Sequence, residues 1–203
     1  MKPPYRYFRV VMGTSLLNAG GESHHIARVD VHLDWIDSPK LSYQNDLAII
    51  TVDILLVKEY PRSWKLASKI FFNAYKQKAK LPTKEVQDGE VADFTGWGLT
   101  LQTPKTRPKN LQRIKTTIVT NEKCRKKMVN GARLMIYKTQ VCAFRTSGIG
   151  ACSGDSGSPL VVNGEIVGIA SWVRNKRCAN GSPDVYTNVY AYKDYIESII
   201  YRY

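Results

Sequence analysis

The 203-residue chain holds only three histidines, and none of its four cysteines precedes position 124. No apolar run approaches the ~18 residues that a membrane span needs, so no spanning helix is expected. The cysteines form no C-x-x-C pair, and His24, His25 and His32 lie far upstream of them. Metal-ligand spacing is therefore missing, and neither a metal nor a cofactor is expected. Met1 is followed by Lys2-Pro3-Pro4-Tyr5-Arg6 with no apolar segment, so the start does not read as a signal peptide. The glycines and prolines are too scattered for collagen-like or low-complexity sequence.

What is present suits a packed protein. Hydrophobic residues are 43% of the chain, enough to bury the core of one large domain or two small ones. Lysine and arginine exceed aspartate and glutamate by 13. The basic residues fall in loose groups: Lys65 to Lys84, Lys105 to Lys115, and Lys123 to Lys127. No nucleic-acid-binding signature accompanies them. They read as a solvated basic surface, with an acidic partner or polyanion as the lesser alternative. Cys124, Cys142, Cys152 and Cys178 are even in number and widely spaced, which suits two disulfides and an oxidising compartment.

Short alternating runs broken by turn residues predict an all-β protein. Strands are expected at 5–13, 23–33, 46–52, 90–97, 112–120, 140–144, 159–162, 165–173 and 184–188. His25, Ala27, Val29 and Val31 share one face of the second, and 46–52 reads as buried. Asn163-Gly164 is a strong hairpin turn. Asn121 can cap a short helix running to Lys127, with Glu122 placed favourably in its first turn. A second helix, 190–203, puts Tyr192, Tyr195, Ile196, Ile199 and Ile200 at helical spacing, as a docking face.

The segment carrying chemistry is Gly150-Ala151-Cys152-Ser153-Gly154-Asp155-Ser156-Gly157-Ser158-Pro159-Leu160. Glycines on both sides of a serine let backbone N–H groups, here of Gly154 and Ser156, aim at one point and hold an oxyanion. Ser156 would be the attacking hydroxyl, and it needs an imidazole to take its proton.

This segment resembles the nucleophile motif of chymotrypsin/trypsin-like serine proteases, and other motifs agree in order. Asn45-Asp46-Leu47-Ala48-Ile49-Ile50 resembles the strand that carries the triad aspartate. Thr95-Gly96-Trp97-Gly98, Val167 to Val173 and Pro183 to Val189 resemble three further segments of that family. The resemblance implies two six-stranded antiparallel Greek-key barrels, the first incomplete here, with a short helix near 121–128 and a C-terminal helix. A single peptidase domain would span 1–203, with the first-barrel remnant over about 1–95 and the second barrel from about 96. It implies Asp46 and Ser156 as catalytic residues, Gly154 and Ser156 as oxyanion donors, and Asp155 as the usual partner of a freed N-terminal amine. Gly150, Ser171, Trp172, Val173 and Asp184 would form the specificity pocket. Cys124–Cys142 and Cys152–Cys178 would be the disulfides.

The chain departs from that pattern in three respects. The template histidine precedes its aspartate by about 45 residues, which from Asp46 reaches only Met1. His24, His25 and His32 read instead as surface or edge residues. The activating Ile/Val-Ile/Val-Gly-Gly start is absent, and one N-terminal loss would account for both departures and for the missing signal peptide. The spacing from Asp46 to Ser156 exceeds the template by about 20 residues, mostly within 53–74, which reads as a surface insertion or a mis-spliced segment.

Gly150 stands where trypsin-like relatives carry a pocket-base aspartate. Val173 and Asp184 replace common pocket glycines. A mixed, chymotrypsin- or elastase-like preference is expected, and these variations resemble insect digestive chymotrypsins. The family implies protein or peptide substrates, protein protease inhibitors as partners, a secreted monomer (with the gut lumen as one setting), and no nucleic acid or membrane partner. Two functions compete: a serine endopeptidase whose chain as given is inactive without the triad histidine, and a non-catalytic homologue acting as a protein-binding module.

Overall fold

The structure is a computed structural model that describes residues 7–52, 56–59, 63–66, 70–100, 107–128, 135–174 and 178–202. Its chain divides into two compact units. One comprises residues 1–31 and 48–78, the other 32–47 and 79–203.

The first unit holds a three-stranded antiparallel sheet in the order β1-β2-β3, formed by Arg9–Met12, Glu22–Val31 and Ala48–Val52. A separate hairpin pairs β4, Leu56–Glu59, with β5, Ser63–Leu66. This hairpin lies in the stretch expected to be an insertion; 53–55, 60–62 and 67–69 fall outside the described residues.

Two expectations are corrected in this sheet. His24, read as a surface or edge residue, is buried at 2% exposure, and the face carrying His25 is the open one. Both faces of β2 carry branched or small residues, so alternation alone does not select one. The third strand is not buried. It is a sheet edge, and Ile50 on it is 50% exposed.

The second unit is built on a closed six-stranded barrel, ordered β10-β11-β8-β7-β6-β9. The strands are β6 Val91–Gly96, β7 Gln112–Val119, β8 Gln140–Phe144, β9 Pro159–Val162, β10 Glu165–Trp172 and β11 Asp184–Asn188. Alternation fixes the inside: Ala92, Phe94, Ile118, Val141, Ala143, Leu160, Val167, Ala170 and Tyr186 form one buried cluster. Phe94 meets Tyr186 edge to face at 5.6 Å. Val91–Gly96 is thus a barrel strand, and 32–47 also belong with the barrel. The two units divide at other positions than the expected boundary near 96.

The β9–β10 hairpin turns at Asn163 and Gly164, both with positive φ, as a two-residue primed turn requires. Helix α1, Asn121–Met128, lies over β8 and is tied to it by the Cys124–Cys142 disulfide. Cys124, Met128, Ile136, Cys142 and Val185 make a second buried cluster there. A 3-10 turn, Tyr190–Tyr192, leads into α2, Lys193–Ile200. Tyr192, Ile196 and Ile199 are buried as expected, whereas Ile200 is 53% exposed and lies off the docking face. No helix among the described residues is long and apolar enough to cross a membrane.

Candidate active site

Asp46 is held by tertiary bonds. The preceding Ser42, Tyr43 and Asn45 all have positive φ, a costly conformation for residues with side chains. Such a run persists only where its surroundings enforce it. Tyr192 Oη donates to Asn45 Oδ1 at 2.6 Å, and Asn45 Nδ2 donates to the Asp34 carbonyl at 2.7 Å. Thr187 Oγ1 on β11 donates to the Asp46 carbonyl at 2.6 Å. Ser171 Oγ on β10 donates to Asp46 Oδ2 at 2.6 Å. The carboxylate is fixed by barrel strands more than a hundred residues downstream.

Ser156 stands in a chain of tight turns. Asp155 N–H donates to the Cys152 carbonyl at 3.0 Å, and Ser158 N–H to the Asp155 carbonyl at 2.9 Å. Gly154 and Gly157, with φ of +96° and +84°, supply the left-handed steps. Gly157 N–H donates to the Ala170 carbonyl and Ala170 N–H to the Ser158 carbonyl, which fastens the turn to β10. The N–H groups of Gly154 and Ser156 have no acceptor among the described residues.

A cleft of about 330 Å³ brings these parts together. It is lined by Asp46, Ser156, Ser171, Trp172 and Val173, with Tyr43, Ala151, Ser153 and Val185 among its other walls. Tyr43 had no signal in the sequence. Its place follows from the strained 42–45 run, which no local pattern announces.

Gly150 and Asp184 do not line this cleft. They face each other behind it: a Cβ at Gly150 would lie 2.7 Å from Asp184 Oδ2. The same oxygen accepts the Ala151 N–H at 2.7 Å. Burial pushes the Asp184 carboxyl up to about 7; the Ala151 bond opposes this and Asp155 adds to it.

Asp155 lines both the cleft and a second cavity, and two backbone N–H groups hold its carboxylate. Its Oδ1 accepts the Gly98 N–H at 2.7 Å and its Oδ2 the Cys152 N–H at 3.0 Å. That second cavity, of about 220 Å³, is lined by Gly96, Gly98, Gly150, Asp155 and Arg113 among others. The Cys152–Cys178 disulfide closes its wall. Both disulfides pair as the resemblance implied.

The histidines lie elsewhere, and none lines the cleft. His24 Nε2 lies 3.2 Å from Glu22 Oε1 inside the first unit. His25 is exposed on β2, opposite Arg9. His32 packs against the rings of Tyr192 and Tyr195, at 5.4 and 4.7 Å between centroids. Among the described residues no group of three His, Cys, Asp or Glu could hold a metal ion.

A closed antiparallel barrel carrying a glycine-flanked serine, with a strand-anchored aspartate in the same cleft, defines a protein of the chymotrypsin-like fold. Comparison with known proteins agrees: the Trypsin family matches residues 5–196, and the chain belongs to that family. It is 37% identical to chymotrypsin-2 of Vespa crabro over 134 residues, which cover 66% of this chain and 58% of that protein. It is 34% identical to putative trypsin-6 of Homo sapiens over 181 residues, 87% of this chain and 68% of that one. The chain spans a little over half to two thirds of the curated relatives it matches. Among solved structures, mouse brain neuropsin, a serine protease, superposes with a TM-score of 0.78. That match covers 95% of this chain and 78% of the other at 23% identity, and it shows the fold.

Proposed function

We propose that the cleft is a serine endopeptidase site in which Ser156 is the nucleophile and Asp46 the orienting carboxylate. The observation that carries this reading is one cavity holding Ser156 beside an Asp46 that Ser171 fixes. The free N–H groups of Gly154 and Ser156 are the oxyanion donors. Substrate backbone lies along Ser171 to Val173, and its side chain enters between Trp172, Val173 and Val185.

The 203-residue polypeptide by itself does not turn over substrate. A serine hydroxyl is a weak nucleophile until a base takes its proton. None of His24, His25 and His32 lines the cleft, so none is placed to serve as that base. Loss of one triad member removes most of the rate.

The pocket accepts apolar residues first. Asp184 lies behind Ala151, and at neutral pH it is about half protonated, so its attraction for Lys or Arg is weak and grows as pH rises. A methylene-scale difference in such a pocket is worth about 1–3 kcal/mol. Leu, Phe and Tyr are therefore cleaved readily, with Arg and Lys gaining above neutrality.

The same cleft supports a second reading, a protein-binding module without catalysis, favoured by a cleft lining that holds no histidine. The experiment supplies the purified chain with a separate histidine-bearing N-terminal segment from a close relative and measures peptide-ester hydrolysis. Restored turnover that Ser156→Ala abolishes supports the endopeptidase site. Persistent inactivity, with tight binding of a protein protease inhibitor, favours the binding module.

A further inference from the structure

We propose that the outer face of β7 and β8, with the end of α1 beside it, docks a linear sulfated polysaccharide. Along β7, Thr116 and Ile118 are buried in the barrel, so Arg113, Lys115 and Thr117 project outward. Phe144 of β8 is in register with Thr117 and shares its face. Two further cations converge on this spot. Arg145 Nη1 donates to the Lys115 carbonyl at 3.1 Å, which lays its guanidinium across β7. Lys127, in the last turn of α1, holds its ammonium 4.3 Å from the centre of the Phe144 ring.

Several basic residues nearby are already neutralised. Arg113 is bound through two bonds to Asp93, Lys123 pairs with Asp88, and Lys126 pairs with Glu122 at 2.6 Å. Lys115, Arg145 and Lys127 have no carboxylate within ion-pair distance among the described residues. All three are exposed. On a chain of net charge +13, three such cations on one face repel each other, and a bound polyanion relieves that repulsion.

The chemistry of the face selects the polyanion. Nucleic acid would seek a free aromatic ring on which to stack bases. Here the ring of Phe144 is capped by Lys127. Lys115, Arg145 and Lys127 come from three different segments, so they suit a flexible polyanion that can bend between them. Two disulfides place the fold in an oxidising compartment, where extended polysaccharides are the polyanions within reach.

The test uses the full chain and heparin as the probe. Binding is measured against NaCl concentration for the wild type and the triple variant Lys115→Ala, Lys127→Ala, Arg145→Ala. A control triple, Lys40→Ala, Lys80→Ala, Lys84→Ala, removes the same charge from exposed sites elsewhere. Each neutralised anion releases roughly one counterion, so the slope of log K against log salt should fall by about 2–3 in the first triple only. Far-ultraviolet circular dichroism checks that both variants fold. Equal shifts in the two triples would show that net charge alone is read. Binding of duplex DNA as tight as heparin, with the same dependence on these three residues, would overturn the assignment to a polysaccharide.

Discussion

Asp184 on β11 accepts the backbone N–H of Ala151 at 2.7 Å, so a buried carboxyl props the base of the turn that carries Ser156. The same group is 8% exposed, and its pKa is raised to about 7 from an ordinary 3.8. Ionising it inside the barrel costs more than ionising it in the unfolded chain. Between about pH 4 and 7 the folded state binds more protons from this group than the unfolded state does. Its contribution to stability therefore falls as pH rises through that window. A shift of this size corresponds to roughly 4 kcal/mol at most. Asp184→Asn keeps an oxygen for Ala151 and removes the charge. Urea unfolding at pH 4.5 and pH 7.5 should show the variant losing less stability than the wild type over that interval. Identical pH slopes would mean that Asp184 does not titrate there.

Legibility in the sequence tracked how local the cause was. The β9–β10 hairpin was readable because Asn163-Gly164 dictates its own turn, and β8, β9 and β11 were readable from alternation against turn residues. Ser156 and Asp46, which line one cleft, each sit in a distinctive local string. The inward face of β2 was not readable, since His24 is buried beside Glu22 and Lys76, a tertiary arrangement that alternation does not show. Asp184 was expected to help form the specificity pocket. Its carboxyl instead bonds to Ala151, and only the fold sets that partner across 33 residues. Tyr43 was missed for the same reason: its backbone is set by contacts between 42–47 and the distant β10, β11 and Tyr192.

The Asn45 anchor should be measurable. Tyr192→Phe removes the 2.6 Å bond to Asn45 Oδ1 and leaves the ring in place. A typical loss is about 1 kcal/mol. Asn45→Ala should cost more than Asn45→Gly, because φ of +59° at this position penalises a Cβ. Chemical denaturation of the three variants checks the order. If the alanine and glycine variants are equally stable, the positive φ at 45 carries no strain.

Removing the Cys124–Cys142 link should destabilise the second unit. It closes a loop of 18 residues, for which chain entropy gives about 3 kcal/mol. Its sulfurs also belong to the buried cluster with Met128, Ile136 and Val185. The Cys124→Ala, Cys142→Ala pair should lower the urea midpoint and release α1 to faster hydrogen exchange before the rest of the barrel. Unchanged protection of α1 would show that packing, not the disulfide, holds the helix.

Gly98 and Asp155 should be energetically coupled. The Gly98 N–H is a donor to Asp155 at 2.7 Å, and a Cβ on Gly98 would overlap the same carboxylate. Gly98→Ala therefore has two effects: it crowds a buried side chain and it weakens the bond that fixes it. Overpacking of this kind costs about 1–3 kcal/mol. In an Asp155→Ala background there is no carboxylate to displace, and the methyl enters the space it leaves. The cost of Gly98→Ala should then fall by at least about 1 kcal/mol, the size expected for residues in direct contact. Urea unfolding of the wild type, both single variants and the double variant gives the coupling directly. Additive effects would show that Asp155 moves aside freely and that the Gly96-Trp97-Gly98 segment is not what holds its carboxylate in place.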